Sequence, residues 1–294
     1  MRSRGRTVLI VLGVTVGAVA FFFLSALFFL SLLDGGALPG GQRVALVEVE
    51  GVIVSGDEIV RELKSHLENA SVRAVVVRIN SPGGVVAPTQ EIYQQIRKVR
   101  AMGKPVVASL GAVAASGGYY IAAACDRIYA NPGTLTGSIG VVMQLANLEG
   151  ILKKIGVEYI VVKAGRHKDI GNFSRSMTSE ERKILQELLD DVHNQFVDAV
   201  AQGRQLDRAQ VLTFADGRIF SGQQAKEFKM IDALGGLEEA IAAAGKLGGI
   251  PGPPRILFPR KRFSLFDLVK GQLGLSGATS FSRPIFTTPL YLME

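Results

Sequence analysis

Residues 72–84 read VRAVVVRINSPGG, and residues 104–118 read KPVVASLGAVAASGG. Each stretch is a largely apolar run that ends in a glycine-bearing break, at 81–84 in the first and 116–118 in the second. Apolar runs of this kind are typical of strands that are buried on both faces, as in parallel sheets. The two stretches therefore predict buried β-strands.

Helical patterns alternate with the strands along the chain. Two of them lie at 57–69 and 88–103, and a long amphipathic helix is predicted from Thr178 to about Gln202, with Thr178 or Ser179 as its cap. Further strands are predicted at 126–130 and 157–165. Alternating strands and helices predict an α/β domain with a largely parallel sheet covered by helices.

Residues 7–33 contain no charged side chain. About 20 apolar residues suffice to cross a bilayer core as a helix, and the apolar core of a cleaved signal peptide is shorter. The stretch therefore predicts one uncleaved transmembrane helix that contacts membrane lipid. Three arginines precede it, so the positive-inside rule keeps the N-terminus cytoplasmic. We expect a single-pass protein of the cell inner (cytoplasmic) membrane, with its main domain on the periplasmic or outer face.

Composition divides the chain into four parts. We predict a cytoplasmic stub and anchor at 1–33, a linker at 34–41, the main domain at 42–249 and a basic tail at 250–294. The net charge of +7 comes from the first part (+3) and the last (+4), so residues 34–249 are neutral. A neutral domain argues against nucleic acid as a partner. The three histidines and one cysteine show no metal-ligand spacing, and no cofactor is expected.

The two glycine-bearing breaks are the places where chemistry is expected, because parallel sheets carry their sites at the carboxyl ends of the strands. Ser116 at the start of a helix can act as a nucleophile. The N–H of Gly117 and one N–H from Gly83 or Gly84 can hold an oxyanion, since glycines allow close backbone approach. Either break alone is better explained as an ordinary strand-to-helix turn. The GxSxG turn of α/β-hydrolases is absent, since Ala114 replaces its first glycine.

A serine nucleophile needs a base, and two candidates follow the predicted strand 157–165. His167 is the usual type of base. Lys168 can serve only in its neutral form, which burial in a dry pocket favours. The residues alone leave both open, and a solvated basic turn is the ordinary explanation of this loop.

Four ordered motifs resemble the signal peptide peptidase A family, in its short, single-copy, membrane-anchored form. They are RINSPGG (78–84), ASLGAVAASGGYYIAAACDRIYANPGTLTGSIGV (108–141), KAGRHKDIG (163–171) and ADGRIFSGQQAKEFKMIDALGG (215–236). The resemblance extends over about residues 43–246. It implies the Clp protease/crotonase type of fold and a serine endopeptidase.

The resemblance also implies roles for individual residues. Ser116 is expected to be the nucleophile and Lys168 its base, with Ser138 orienting the lysine. From the residues alone, Ser138 is a turn residue. The family's oxyanion donors correspond to Gly83, Gly84 and Gly117.

The family's substrates are remnant signal peptides, so apolar, membrane-derived peptides are the expected substrate class. One-copy members of the family complete each site with residues of neighbouring subunits, which implies a closed homo-oligomeric ring. Three alternatives are open: a peptidase acting on a membrane partner protein, an acyl-CoA enzyme of the crotonase kind, and a non-catalytic ring scaffold.

Overall fold

The structure, a computed structural model, describes residues 2–33, 41–259 and 290–292. The chain divides into two compact units, Met1–Gly41 and Gln42–Glu294. The first unit contains helix α1 (Arg2–Leu33). No helix of the described residues has both the length and the apolar character needed to cross a membrane. The structure therefore gives the predicted anchor no support, and the predicted linker lies outside the described residues except for Gly41.

The second unit alternates strands with helices. Its helices are α2 (Asp57–Glu68), α3 (Val86–Ala101), α4 (Gly117–Ala123), α5 (Glu149–Lys154), α6 (Ser179–Arg204), α7 (Arg208–Leu212), α8 (Gly222–Glu227) and α9 (Leu237–Leu247). Its strands are β1 (Arg43–Glu50), β2 (Val72–Ser81), β3 (Gly83–Val85), β4 (Val106–Ala115), β5 (Arg127–Ala130), β6 (Leu135–Gly137), β7 (Ile219–Ser221), β8 (Ala233–Leu234), β9 (Arg255–Leu257) and β10 (Leu290–Leu292).

Eight of these strands form one sheet in the order β7-β6-β4-β2-β1-β9, with β5 pairing β4 and β8. All pairs in this sheet are parallel except β6 with β7. A second, two-stranded sheet joins β3 and β10 in antiparallel fashion. The predicted α/β architecture with a largely parallel sheet is confirmed.

The sheet is buried on both faces because side chains alternate along each strand. On β1, Val44 and Leu46 pack with Ala240 of α9 on one face. Ala45 and Val47 face the larger core on the other side, which includes residues of α2, α3, α4 and α6. This two-sided burial explains why the central strands are continuously apolar in the sequence.

The predicted helix caps and boundaries agree closely with the structure for α6. Its N-cap is Thr178, whose side chain accepts a hydrogen bond from the N–H of Glu181, while the Glu181 carboxylate accepts from the N–H of Thr178. This reciprocal pair is a capping box. It fixes the point at which the chain enters the helix.

The predicted strand at 157–165 is wrong. Residues 157–163 form no β-pairing among the described residues, and Ile160 and Val162 are 75% and 95% exposed. A strand exists only where a partner satisfies its N–H and C=O groups. The sequence has strand composition here, but the described chain supplies no neighbouring strand.

The region predicted as a basic tail begins with sheet structure. Arg255–Leu257 form β9, which extends the sheet by parallel pairing with the first three residues of β1. Residues 260–289 and 293–294 of the predicted tail lie outside the described residues. The boundary at 249/250 stays a prediction.

Helix α4 lies at the centre of the second unit, with all seven residues buried. Tyr119 anchors it by donating from its hydroxyl to the carbonyl of Met230 at 2.9 Å. Helix α6 approaches it so closely that a Cβ on Gly203 would lie 1.9 Å from the Ala123 carbonyl oxygen. Gly203 thus sets the distance between the two helices.

We expect Gly203→Ala to destabilise the protein by about 2–3 kcal/mol or more, because the added methyl group meets fixed backbone rather than a movable side chain. Chemical denaturation monitored by circular dichroism measures the change. Gly150→Ala is the matched control, since Gly150 is exposed in α5 and nothing lies within 4 Å of its Cβ position. Equal effects of the two substitutions would contradict close α4–α6 packing.

Candidate active site

Ser116 occupies the turn between β4 and α4. Its backbone has φ 52° and ψ −116°, a conformation that costs a non-glycine residue about 1–3 kcal/mol. The N–H of Ser116 donates to the Gly137 carbonyl at 2.8 Å, and its own carbonyl accepts from the N–H of Tyr120 at 2.9 Å. These two bonds hold the turn between a strand of the sheet and a buried helix.

The hydroxyl of Ser116 is buried and unpaired. The residue is 1% exposed, and its Oγ has no hydrogen-bond partner among the described residues. Leaving a buried hydroxyl unsatisfied costs about 1–3 kcal/mol. Backbone strain and an unpaired hydroxyl coincide at one residue, which marks it as a candidate reactive group.

The two glycine-bearing breaks meet at Ser116, as their place after predicted strands suggested. A Cβ on Gly117 would lie 3.2 Å from both the Cα of Gly83 and the backbone nitrogen of Gly84. A Cβ on Gly84 would lie 2.1 Å from the Ile53 carbonyl oxygen. Gly83 itself has φ 107°, which L side chains rarely adopt. Close approach and positive φ together explain the glycines.

The backbone of β3 presents its two edges to different partners. The Gly83 carbonyl accepts from the N–H of Ile53 at 2.9 Å, and the N–H of Val85 donates to the Ile53 carbonyl at 2.7 Å. The N–H of Gly83 donates to Ser81 Oγ at 3.1 Å. Because peptide groups alternate along a strand, the N–H and C=O of Gly84 point to the edge away from Ile53.

Ser138 follows β6, the strand that pairs with the end of β4 next to Ser116. Strand β6 pairs in parallel with the end of β4, with Gly137 opposite Ala115. Ser138 follows directly, is 8% exposed and has φ 50°, and its N–H donates to the Arg218 carbonyl at 2.8 Å. The structure therefore brings Ser138 beside the nucleophile candidate, in a strained turn of its own.

The two candidate bases lie elsewhere. Lys168 is exposed, and its backbone N–H donates to the Gly165 carbonyl at 3.2 Å. His167 places Nε2 3.5 Å from a carboxylate oxygen of Glu180. Neither side chain is within hydrogen-bonding distance of Ser116 Oγ, since that atom has no partner in the described chain.

A cluster of ion pairs, which was not predicted from the sequence, fixes the loop that contains Lys168. Arg175 contacts Asp169 (Nε to Oδ2, 3.0 Å) and Glu181 (Nη1 to Oε2, 2.9 Å), and Lys163 also pairs with Asp169. Hydrogen bonds from Arg175 and, to a smaller extent, from Lys163 hold the pKa of Asp169 well below its ordinary value. The loop is thereby tied to the first turn of α6. The three charges alternate in sign at 169, 175 and 181, but charges at such spacing are too common in sequences to predict an ion-pair cluster.

The ionisation of Glu181 makes the stability that this cluster contributes depend on pH. Hydrogen bonds from Arg175, then from the backbone of Thr178, lower its pKa from 4.5 to about 2. Its carboxylate therefore stabilises the fold above about pH 4.5, and that contribution is lost as the pH falls towards 2.

No group of three or more His, Cys, Asp or Glu in residues 2–33, 41–259 and 290–292 is placed to hold a metal ion.

We expect Glu181→Gln to lower the melting temperature at neutral pH, with the difference from wild type shrinking as the pH falls from 4.5 to 2. Glutamine keeps the capping geometry but loses the charge that Arg175 binds. Thermal unfolding measured at several pH values tests this. Glu187→Gln, on the exposed side of the same helix, is the control and should show little difference at any pH. A pH-independent effect of Glu181→Gln would contradict the charge as its cause.

Comparison with known proteins identifies the family of this site. The model of peptidase family S49 matches residues 98–250, which include Ser116, Ser138 and Lys168, and the Clp protease model matches residues 52–134. The S49 match covers more than half of the chain.

Individual relatives agree. A Synechocystis sp. protein named as a protease is 47% identical over 71% of this chain and 76% of its own length. An Enterococcus faecium protein named as a signal peptide peptidase is 34% identical over 73% of this chain and 65% of its length. A chloroplastic serine protease of Arabidopsis thaliana is 33% identical over 80% of this chain and 37% of its length. This chain belongs to peptidase family S49 and is a serine peptidase.

Proposed function

We propose that Ser116 is the nucleophile of an endopeptidase that cleaves extended, apolar peptides. The observation that carries this is the buried Oγ of Ser116, which has no hydrogen-bond partner in the described part of the chain and lies on a strained backbone. Beside it lie Gly84 and Gly117, whose N–H groups serve as donors to the oxyanion of the tetrahedral intermediate. The N–H of Gly83 is already given to Ser81, which favours Gly84 over Gly83 as the donor from β3.

The base is Lys168 of a neighbouring copy of the chain. Within one copy Lys168 is exposed, and among the described residues it makes no hydrogen bond to Ser116 Oγ. A solvated lysine is charged at neutral pH and cannot take a proton, whereas burial against a second copy favours the neutral form. The loop at 163–175 of one copy therefore packs against the Ser116 pocket of the next.

The surface next to this loop supports assembly into a homo-oligomeric ring. Ile151, Ile155, Ile160 and Val162 are exposed, and the strand-like residues 157–163 lack β-pairing among the described residues. Exposed apolar patches and unpaired strand edges mark association sites. A head-to-tail contact, in which one copy gives the loop and the next gives the pocket, closes into a ring when the rotation allows.

The chemistry follows from these positions. Neutral Lys168 takes the proton of Ser116 Oγ, which forms a bond to the peptide carbonyl carbon. Negative charge develops on the carbonyl oxygen, and the N–H groups of Gly84 and Gly117 stabilise it. The C–N bond then breaks, and the Lys168 ammonium gives its proton to the leaving amine. Lys168 next activates a water that hydrolyses the acyl-enzyme, while Ser138 Oγ orients the lysine.

Remnant signal peptides are the proposed substrates. The name of the Enterococcus faecium relative, signal peptide peptidase, supports this substrate class. The proposed attachment to the cytoplasmic membrane through 7–33, with the peptidase domain outside the cytoplasm, rests on the uncharged sequence of that stretch. Such an attachment would keep the site near apolar, membrane-derived peptides.

We expect Ser116→Ala and Lys168→Ala each to abolish cleavage of synthetic signal peptides, because each removes one half of the dyad. Mixed assemblies of the two variants should regain about a quarter of the wild-type activity, since random mixing places an intact serine beside an intact lysine at about one interface in four. Peptide cleavage read by mass spectrometry measures both. Lys154→Ala, at an exposed lysine of α5, is the matched control and should stay active.

Three results would contradict this proposal in different ways. Inactive mixtures that contain both variants in one assembly would show that the lysine does not act between copies. Activity that survives Lys168→Ala but not His167→Ala would make histidine the base. Failure of every form to cleave any peptide, in an intact assembly, would favour a non-catalytic scaffold.

We also expect Val162→Asp to dissociate the assembly and to reduce activity by more than about tenfold. A charge on an apolar contact surface opposes association, while a substitution at an exposed site changes the stability of the single chain by only about 0.5 kcal/mol. Light scattering after size-exclusion chromatography and peptide cleavage test this. Met102→Asp, at an exposed apolar residue after α3, is the control and should leave both unchanged. An intact, fully active Val162→Asp assembly would exclude this surface as the interface.

A further inference from the structure

A buried threonine joins the ends of the two strands that lead to Ser116 and Ser138. Thr136 lies on β6 opposite Ala114 of β4 and is 0% exposed. Its Oγ1 donates a hydrogen bond to the Ala114 carbonyl at 2.7 Å. Each serine comes two residues after one partner of this bond. One side chain therefore links the backbone segments that enter both serine turns.

Packing alone does not explain a threonine at position 136. Valine has nearly the same shape and an equal preference for strands, and a fully buried position is normally apolar. A buried hydroxyl is tolerated where it is hydrogen-bonded. The presence of threonine therefore points to the hydrogen bond itself as the property that matters.

The end of β4 depends on β6 because β4 loses its regular pairing with β2. The two strands pair residue by residue as far as Ile79 with Leu110. The next pair is Ser81 with Ala114, so β4 has two more residues than β2 in this stretch. An irregularity of this kind disrupts the ladder and redirects the strand. Beyond it, β4 pairs with β6 at residues 113–115.

We propose that Thr136 is a positioning residue that holds Ser116 and Ser138 in place for the reaction. Both serines have a positive φ, of 52° and 50°, and such strain persists only where the surroundings fix it. The Thr136 bond restrains β4 against β6 beside the contact from the Ser116 N–H to the Gly137 carbonyl. Thr136 acts through the backbone. This inference rests on the proposed function, since it takes Ser116 as the nucleophile.

The kinetic test separates the hydroxyl from the shape of the side chain, since Thr136→Val removes the hydroxyl and Thr136→Ser keeps it. We expect Thr136→Val to lower kcat for peptide cleavage by about ten- to a hundredfold with KM nearly unchanged. A nucleophile displaced by about 1 Å weakens the transition state and leaves substrate binding intact. Thr136→Ser should stay within about threefold of wild type. A Thr136→Ser form as slow as Thr136→Val would overturn the inference.

Thr134→Val is the matched control for a loss of stability alone. Thr134 is 2% exposed, and its Oγ1 donates to the Gly111 carbonyl at 2.8 Å. Gly111 lies five residues before Ser116, so this bond is further from the serine turn. We expect the two valine variants to lose similar melting temperature, while Thr134→Val lowers kcat by less than about twofold. Equal losses of kcat in both would show that Thr136 has only a structural role.

Amide hydrogen exchange separates this inference from the proposed function. The Ser116 N–H is bonded to the Gly137 carbonyl, so its exchange reports how firmly the turn is held. We expect peptides that cover residues 113–119 to exchange several-fold faster in Thr136→Val than in Thr134→Val, as measured by mass spectrometry on the full chain. Equal exchange would overturn the positioning role even if Ser116 is the nucleophile. Faster exchange in Thr136→Val would support it even if no form cleaves a peptide.

Discussion

The hydrogen bond from the Ser116 N–H to the Gly137 carbonyl is the contact on which the site depends. It ties the end of β4 to β6 at the residue where the chain turns into a buried helix. This tie helps to hold Ser116 at a positive φ that its side chain disfavours. The same contact fixes Ser138 one residue beyond Gly137. One backbone bond thus sets the positions of two hydroxyl groups.

Close packing maintains this strained turn. Gly117 fits against Gly83 and Gly84, and Gly203 lets α6 approach the carbonyl of Ala123. A methyl group at Gly203 would meet the backbone of Ala123, and one at Gly117 would meet both the Thr89 hydroxyl at 3.0 Å and the backbone of Gly83 and Gly84 at 3.2 Å. The free energy for the unpaired hydroxyl and the strained φ comes from this surrounding core, as is usual for sites that are preorganised for a reaction.

The sequence predicted the fold where local and tertiary requirements agree. The run at 72–80 is β2 almost residue for residue, because a strand buried on both faces must be apolar throughout. The same reasoning failed at 157–165, where the composition suits a strand but no described segment of the chain pairs with it. Pairing partners are a property of the whole fold, and the composition of one segment does not identify them.

The site was predictable to a similar extent. The meeting of the two glycine-bearing breaks follows from their place after parallel strands, and the structure brings them together at Ser116. The position of Ser138 beside Ser116 did not follow from its residue type, and only the family resemblance pointed to it. The role of Arg175 was missed because it depends on ion pairs with both Asp169 and Glu181. Only the folded loop brings these two carboxylates to the same arginine.

The exposure of Lys168 in a single copy has a consequence for biosynthesis. Under the proposed division of the site between copies, a newly made chain has a serine without a base, so it is inactive until it assembles. Activation then depends on protein concentration and reverses on dilution. A cell that makes few copies would be protected from stray proteolysis by mass action alone.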